Sequence, residues 1–444
     1  MAEAPELRDR AEKRRREPAA RAEQAAPAGL PSMTQAPISE PAAGRVATAS
    51  HGPSGLVYVV WELTLRCDHA CHHCGSRAAR ARPDELTTDE ALDVVKQLAT
   101  MGAREVTLIG GEAYLREDWD TIARSIVEHG MRCTMTTGGR GMTRERAQRA
   151  KAAGLSSISV SVDGLREAHD TQRGPGSFDA ALAAMHNIRE AGIDLSANTQ
   201  INHLSLPHLD TLLDMWIERG VHGWQMQLTV PMGRAAERPD WLIQPYELTA
   251  VCTKLAGIAE RGAKHGVQFW PANNIGYFGP YETLLRGRGV VEDRVWGGCV
   301  AGKHALGLES NGTVKGCPSL PTDAYAGGTV RERSIAEIWD GAKELRFVRD
   351  RTVDDLWGYC RSCYYADECR AGCTWTSHVF FGRAGNNPYC HHRALDFERR
   401  GLRERLIPVE AAPGKPFDHG LFEVIVEPLD SPSADVKRRL PLSG

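Results

Sequence analysis

The chain has no long apolar run. Nothing in its 444 residues approaches the ~18–20 consecutive apolar residues of a membrane span, so no membrane partner is expected. The N-terminus, MAEAPELRDRAEKRRREP, has no apolar core of a secretory signal and is dense in charges of both signs. A strong charge imbalance is also missing: 54 Lys and Arg stand against 57 Asp and Glu, a net charge of −3. That gives no basic footprint for a nucleic-acid partner. Without an export signal the expected location is the cytoplasm, a reducing compartment where the 12 cysteines belong to metal binding rather than to disulfides. A hydrophobic content of 42% and a charged content of 25% are ordinary for a globular protein. The length suggests two or three domains, each able to bury its own core.

Residues 1–52 are rich in Ala, Pro, Glu and Arg, with scarcely an aromatic or β-branched residue. Such a segment cannot bury enough surface to offset its ordering entropy, and a disordered arm is expected, with a docking role left open. Residues 53–244 alternate short strand-like runs with amphipathic helices. TTDEALDVVKQLATM opens on a capping box, Thr87 and Glu90, and carries Leu92, Val95, Leu98 and Met101 at helical spacing. EVTLIG, MRCTMTT, SSISVSV, IDLSANT and HGWQMQLTV read as further strands, with helices over 118–129, 143–152, 178–190 and 207–218 between them. With right-handed crossovers as the default, six strands give an α/β, partial (β/α)6 barrel, too short for the ~250 residues of the eight-unit barrel. Its later strands alternate. Ile158, Val160 and Val162 stand against Ser157, Ser159 and Ser161; Trp224, Met226 and Leu228 against Gln225, Gln227 and Thr229. Helices covering the apolar face would leave the polar face to line a lumen suited to a polar ligand; a sheet with one wet face is the alternative. Residues 245–295 read as a helical bridge, 296–400 as a cysteine-rich module, and 401–444 as a tail with one candidate strand, LFEVIVEP.

The cysteines fall into two groups. Cys67-x3-Cys71-x2-Cys74 follows the apolar stretch VYVVWELTL, and Cys299, Cys317, Cys360, Cys363, Cys369, Cys373 and Cys390 lie in the last third. Thiolates so grouped grip soft metal centres. The first three sit at the C-terminal end of the first strand, where barrel active sites lie. Three ligands on a four-iron cluster leave one iron free, whereas zinc would need a fourth ligand from His69, His72 or His73. Cys133 and Cys252 match no spacing and read as small core residues.

The triplet, with His73 before its last cysteine, resembles the CxxxCxxC motif of the radical S-adenosylmethionine superfamily. Gly110-Gly111-Glu112, after the second strand, is similar to that family's GGE motif. Its glycines allow close backbone approach to the cofactor, and its carboxylate meets the methionine ammonium. The resemblance extends to Thr137-Gly138 beside the adenosine, to Ser161 in SVSVDG near the ribose, and to Arg173 near the cofactor's carboxylate or ribose. The later cysteines, with Gly312-x4-Cys317 and the helix of Ile335, Ile338 and Trp339, resemble the SPASM extension of these enzymes. Together the two resemblances cover residues 57–392.

The resemblance implies a [4Fe–4S] cluster on Cys67, Cys71 and Cys74 that binds S-adenosylmethionine, and two auxiliary [4Fe–4S] clusters. One auxiliary cluster would take Cys360, Cys363, Cys369 and Cys390; the other Cys299, Cys317 and Cys373, with its fourth position open. Reduction by a flavodoxin or ferredoxin and cleavage of S-adenosylmethionine would give a 5′-deoxyadenosyl radical that abstracts a substrate hydrogen. A ribosomally made peptide, crosslinked or oxidised, is the expected substrate. A separate leader-recognition protein is a candidate partner, since no N-terminal domain of the ~80–90 residues that would bind a leader is seen. Oxidation of a cofactor precursor or other small molecule and sulfatase-type maturation are the alternatives. A non-catalytic iron–sulfur carrier or zinc scaffold is the reading of a different class. Asp163, Asp194 and Tyr325 are the residues considered for a general base.

Overall fold

A computed structural model describes residues 55–287 and 296–432; the expected N-terminal arm lies outside them. The first unit shows how the pattern becomes structure. Strand β1 (Tyr58–Glu62) leads through the cysteine loop to helix α1 (Thr88–Thr100). Thr87 caps α1 by accepting from Glu90 N while the Glu90 side chain accepts from Thr87 N, the reciprocal box the sequence predicts. Ala91, Val94, Val95 and Leu98 are its buried face. Full burial of an aliphatic side chain of this size is worth about 1.5–3 kcal/mol, so packing rather than propensity holds the helix in place.

The same unit repeats. β2 (Glu105–Ile109), α2 (Trp119–Glu128), β3 (Arg132–Thr137), α3 (Arg144–Ala152) and β4 (Ser157–Ser161) follow, and α4 (Arg166–Arg173) and α5 (Ser177–Glu190) both lead to β5 (Asp194–Ile201). Then come α6 (Leu209–Arg219), β6 (Gly223–Leu228), α7 (Leu248–Lys264) and β7 (Gln268–Pro271). Strands β1 to β7 are parallel neighbours in chain order. In β5, Leu195, Ala197, Thr199 and Ile201 are buried, while Ser196, Asn198 and Gln200 are half-buried; β6 alternates the same way. The apolar partners belong to the main core, which leaves the polar set to the lumen.

The sheet does not stop at residue 244. β7, inside the expected helical bridge, pairs with β6. On the other side the cysteine-rich module adds β8 (Ala305–Leu308), β9 (Thr313–Lys315) and β10 (Ala326–Thr329), with β8 parallel to β1. The result is one ten-stranded sheet whose edges, β10 and β7, remain unpaired with each other: an open barrel. Helices α8 (Ile335–Gly341), α9 (Thr374–Phe381) and α10 (His391–Arg399) complete the module. In the expected tail the candidate strand LFEVIVEP forms β12 (Leu421–Pro428), and it pairs with an unexpected strand, β11 (Leu402–Glu410), in a hairpin packed on α9 and α10. Its internal charges hide the pattern: Glu404 is buried because Arg393 of α10 meets it with two hydrogen bonds, 2.6 and 2.7 Å. Among the described residues no helix is long and apolar enough to cross a membrane.

Candidate active site

The loop carrying Cys67, Cys71 and Cys74 runs across the C-terminal ends of the first strands. Gly110 and Gly111 end β2 against it. A Cβ at Gly110 would lie 2.2 Å from the Thr64 carbonyl oxygen, and one at Gly111 would lie 2.2 Å from that of Arg66. Both carbonyls accept backbone hydrogen bonds from this stretch, Gly111 N to Thr64 and Glu112 N to Arg66. The glycines therefore serve the approach of β2 to the cysteine loop, a requirement distinct from the expected approach to a cofactor.

Glu112 is buried, and its carboxylate accepts from Thr137 Oγ1 at 2.5 Å and Gly138 N at 2.6 Å. Burial pushes its pKa up to about 7 despite these bonds. Thr137 also accepts from Gly139 N, so it ties the β3 loop to the acid. On the other side of the loop, His73 Nε2 lies 3.2 Å from Asp163 Oδ2, and Arg173 Nε donates to the same oxygen at 2.5 Å. Arg173 Nη1 is 4.0 Å from Cys71 Sγ. Burial would raise the Asp163 pKa, but Arg173 and His73 more than offset it and hold the acid ionised. Gln200 N occupies its second oxygen. Asp163 is thus a clamp rather than a free base. Asp194 opens β5, at the opposite end of the strand from the site, and Tyr325 is buried against His378 Nδ1 at 3.1 Å. Neither Asp194 nor Tyr325 lines the cavity described next.

A cavity of about 190 Å³ opens between the two halves of the molecule. His73 and Gly110 line it from the cysteine loop side, Gln200, Gln227 and Thr229 from β5 and β6, and Trp375 and Phe417 from α9 and the hairpin loop. Of the expected cofactor contacts only His73 and Gly110 line the cavity; Gly111, Glu112, Thr137, Arg173 and Ser161, which pairs with Asn198, are not in its lining. Ser159 Oγ and Asn198 Oδ1, on the polar faces of β4 and β5, are buried without a hydrogen-bond partner. Buried polar atoms are normally satisfied, so these suit a polar ligand in the lumen, such as a nucleoside with an amino-acid arm.

Glu62 and Glu309, two further lining residues, escaped the sequence reading. Arg82 donates to both, at 2.9 and 3.0 Å, and Lys315 lies 2.7 Å from Glu309. Burial raises the Glu62 pKa, with Arg82 opposing it. An acid inside the apolar run VYVVWELTL was the available signal for Glu62. Phe417 and Trp375 carried no signal, because only the folded module brings them to the mouth of the barrel.

The later thiols lie close together, with Cys299, Cys369, Cys373 and Cys390 all packed around Tyr277 and Trp296. Cys360, Cys363, Cys369 and Cys390 line one small enclosed cavity with Tyr277, Tyr359 and Tyr365. Cys299, Cys317 and Cys373 act electrostatically on one another. All twelve cysteines are free thiols. Burial pushes Cys71 and Cys317 up to about 11 and Cys369 and Cys373 up to about 12, so these thiols ionise only beside a cation such as cluster iron. Sulfurs on one tetrahedral zinc would lie within about 4 Å of each other, from a Zn–S bond of ~2.3 Å. Among the described residues the only group of three ligand atoms within 4.8 Å is Cys67, Asp68 and Glu112. No three of the described cysteine sulfurs come that close, which does not match a single zinc; thiolates that each take a separate iron of a cluster need no such approach.

Comparison with known proteins agrees. A profile described as the radical SAM superfamily matches residues 61–210, and one described as an iron-sulfur cluster-binding SPASM domain matches 299–364. An AdoMet-dependent heme synthase of Methanosarcina barkeri is 30% identical over 76% of this chain and 96% of its own length. A mycofactocin maturase of Mycolicibacterium smegmatis is 26% identical over 72% of this chain and 79% of its own. In fold, the chain is similar to S-adenosylmethionine-bound SuiB of Streptococcus suis (TM-score 0.59, 16% identity, 72% and 73% of the two chains covered). It is also similar to anSMEcpe with bound AdoMet and a peptide (TM-score 0.61, 16% identity, 77% and 94% covered). The chain belongs to the radical S-adenosylmethionine superfamily as an enzyme with a SPASM domain, and its cofactors are the [4Fe–4S] cluster with S-adenosylmethionine and auxiliary iron–sulfur clusters.

Proposed function

We propose that this enzyme oxidises a ribosomally made peptide, leaving a crosslink or an oxidised residue, with one side chain entering the cavity at a time. The observation that carries this is the charge of the lining. Among the described residues Glu62 and Glu309 are its acids, His73 is its one residue of basic type, and no Lys or Arg lines it. A heme precursor, which carries several carboxylates, would call for Arg or Lys at the wall; here Arg82 and Lys315 are already engaged by the two glutamates. The volume agrees, being small beside the ~300–1,000 Å³ of a site that encloses a drug-sized ligand. The second reading, oxidation of a heme precursor, is favoured by the 30% identity to the heme synthase.

In this reading Cys67, Cys71 and Cys74 hold the cluster that binds S-adenosylmethionine; Cys360, Cys363, Cys369 and Cys390 hold one auxiliary cluster, and Cys299, Cys317 and Cys373 the other. When bound, the first cluster and its S-adenosylmethionine supply hydrogen-atom abstraction from a substrate carbon. Glu112 and Thr137 orient the methionine end, Arg173 fixes Asp163 and His73 beneath it, and Phe417 and Trp375 keep water from the mouth. A flavodoxin or ferredoxin supplies electrons, and a leader-recognition protein delivers the peptide. The test is anaerobic incubation with S-adenosylmethionine, dithionite and, in separate tubes, Fe-coproporphyrin III and any short peptides found encoded beside this gene. A peptide that loses two mass units per turnover, one for each hydrogen, supports the proposal. Turnover of the porphyrin with every peptide unchanged supports the second reading.

A further inference from the structure

The hairpin that follows the cysteine-rich module lies outside both family matches, which end at residues 210 and 364. It nevertheless reaches the radical site. The loop between β11 and β12 is folded around Asp418, whose Oδ2 accepts from Gly414 N at 2.5 Å and Lys415 N at 3.1 Å. Asp418 is 4% exposed, and it faces Arg77, three residues beyond Cys74. Arg77 Nε donates to Asp418 Oδ1 at 2.8 Å and Nη2 to Oδ2 at 3.3 Å, a two-pronged grip across 341 residues of sequence. The same guanidinium reaches the Gly233 carbonyl at 3.1 Å and Glu237 at 2.5 Å. Arg77 has a φ of 49°, a left-handed conformation uncommon outside glycine. The exit of the cysteine loop therefore takes a conformation that its side-chain partners must maintain.

The backbone supplies a second connection. Gly233 N donates to the Asp418 carbonyl, and Met232 bridges to His419. The turn at Gly233 lies so close to the cysteine loop that a Cβ there would meet the Cys74 carbonyl oxygen at 2.3 Å. The end of the cysteine loop, the turn at Gly233 and the hairpin tip thus stack as one unit. Phe417, beside Asp418, lines the cavity and covers the Lys315 ammonium at 3.9 Å from its ring centre.

We infer that Asp418 is a positioning residue of the radical site: by gripping Arg77 it fixes the Cys74 end of the cysteine loop in the geometry that binds S-adenosylmethionine. The hairpin tip thereby becomes a third part of the active site, after the barrel and the SPASM domain. Partners that orient ligand-bearing groups of a metal site commonly govern affinity by about 10–100-fold, although they touch neither metal nor substrate.

The test uses the full chain, reconstituted anaerobically with iron and sulfide, and S-adenosylmethionine as the probe, so it stands or falls apart from the peptide reading. Its readouts are the dissociation constant for S-adenosylmethionine, the change that S-adenosylmethionine causes in the electron paramagnetic resonance spectrum of the dithionite-reduced protein, and the thermal midpoint. Asp418→Asn weakens S-adenosylmethionine binding about 10–100-fold and diminishes the spectral change, while Asp418→Glu recovers most of both. Combining Asp418→Asn with Arg77→Ala binds no more weakly than Arg77→Ala alone, because the aspartate acts through the arginine. Arg77→Lys, which keeps the charge and loses the fork, weakens binding in the same direction and serves if the aspartate variants do not fold. The inference is overturned if Asp418→Asn or Arg77→Lys lowers only the thermal midpoint, with affinity and spectrum as in the unaltered protein. It is equally overturned if the two losses add in the double variant.

Discussion

Two sets of thiols in one chain are held in opposite ways. Cys67, Cys71 and Cys74 share a single short loop and are each half-exposed, and what fixes them comes from far away in sequence: Arg173, Gly111 and, through Arg77, Asp418. Cys360, Cys363, Cys369 and Cys390 come from a longer stretch and close a cavity among Tyr277, Tyr359 and Tyr365, on backbone with positive φ at Arg370, Ala371 and Gly372. The first arrangement leaves room for a ligand and relies on side-chain clamps. The second is continuous with the module's own packing: Cys360 is buried, and Cys363, Cys369 and Cys390, as accessible as the first three, are walled in by tyrosines. Damage to the first set should therefore cost chemistry, and damage to the second should cost the fold.

The largest expected effect falls on the enclosed set. Arg393 is buried, grips Glu404 of β11 with two prongs, donates to Asn386 Oδ1 at 2.7 Å and to the Asn387 carbonyl at 3.0 Å, and lies beside Cys360 and Cys390. Arg393→Ala leaves Glu404 buried and unpaired, and should lower stability by about 3–5 kcal/mol. Urea unfolding measures the loss, and iron analysis should show the cluster on Cys360, Cys363, Cys369 and Cys390 lost first. A smaller effect is expected on the open set. Thr137→Val removes the donor to Glu112 and the acceptor for Gly139 N, a loss of about 1–3 kcal/mol for a buried group left without its partner. Its iron content should stay that of the unaltered protein, while S-adenosylmethionine binds more weakly by equilibrium dialysis. Equal iron loss in the two variants would erase the distinction between the sets.

How much of this was legible in the sequence follows the same division. The helices and strands from β1 to β6 were readable because each has a clean period: Thr87 and Glu90 announce α1, and the serines of β4 and glutamines of β6 announce a polar lumen. The iron–sulfur character of the later thiols was readable from the family resemblance. Strand β7 was not, because QFWP is four residues long, ends in proline and has too few positions to show a period. LFEVIVEP was readable and forms β12; its partner β11 hid for another reason. Arg403 and Glu404 are buried in β11 and Pro408 interrupts it, a pattern that reads as exposed until Arg393 and Glu427 are seen to pair with the charges. Asp163 was legible as important but not as a clamp, since its role depends on Arg173 and His73 arriving from different elements.

The measurement that tests the central claim most directly compares the unaltered protein with Cys71→Ala after anaerobic reconstitution, following iron content, thermal midpoint and formation of 5′-deoxyadenosine from S-adenosylmethionine. The account predicts about twelve irons falling to about eight, as for the loss of one of three four-iron clusters, with 5′-deoxyadenosine abolished and the thermal midpoint nearly unchanged. Cleavage of S-adenosylmethionine that survives in Cys71→Ala would contradict it, as would a variant that loses all its iron and unfolds.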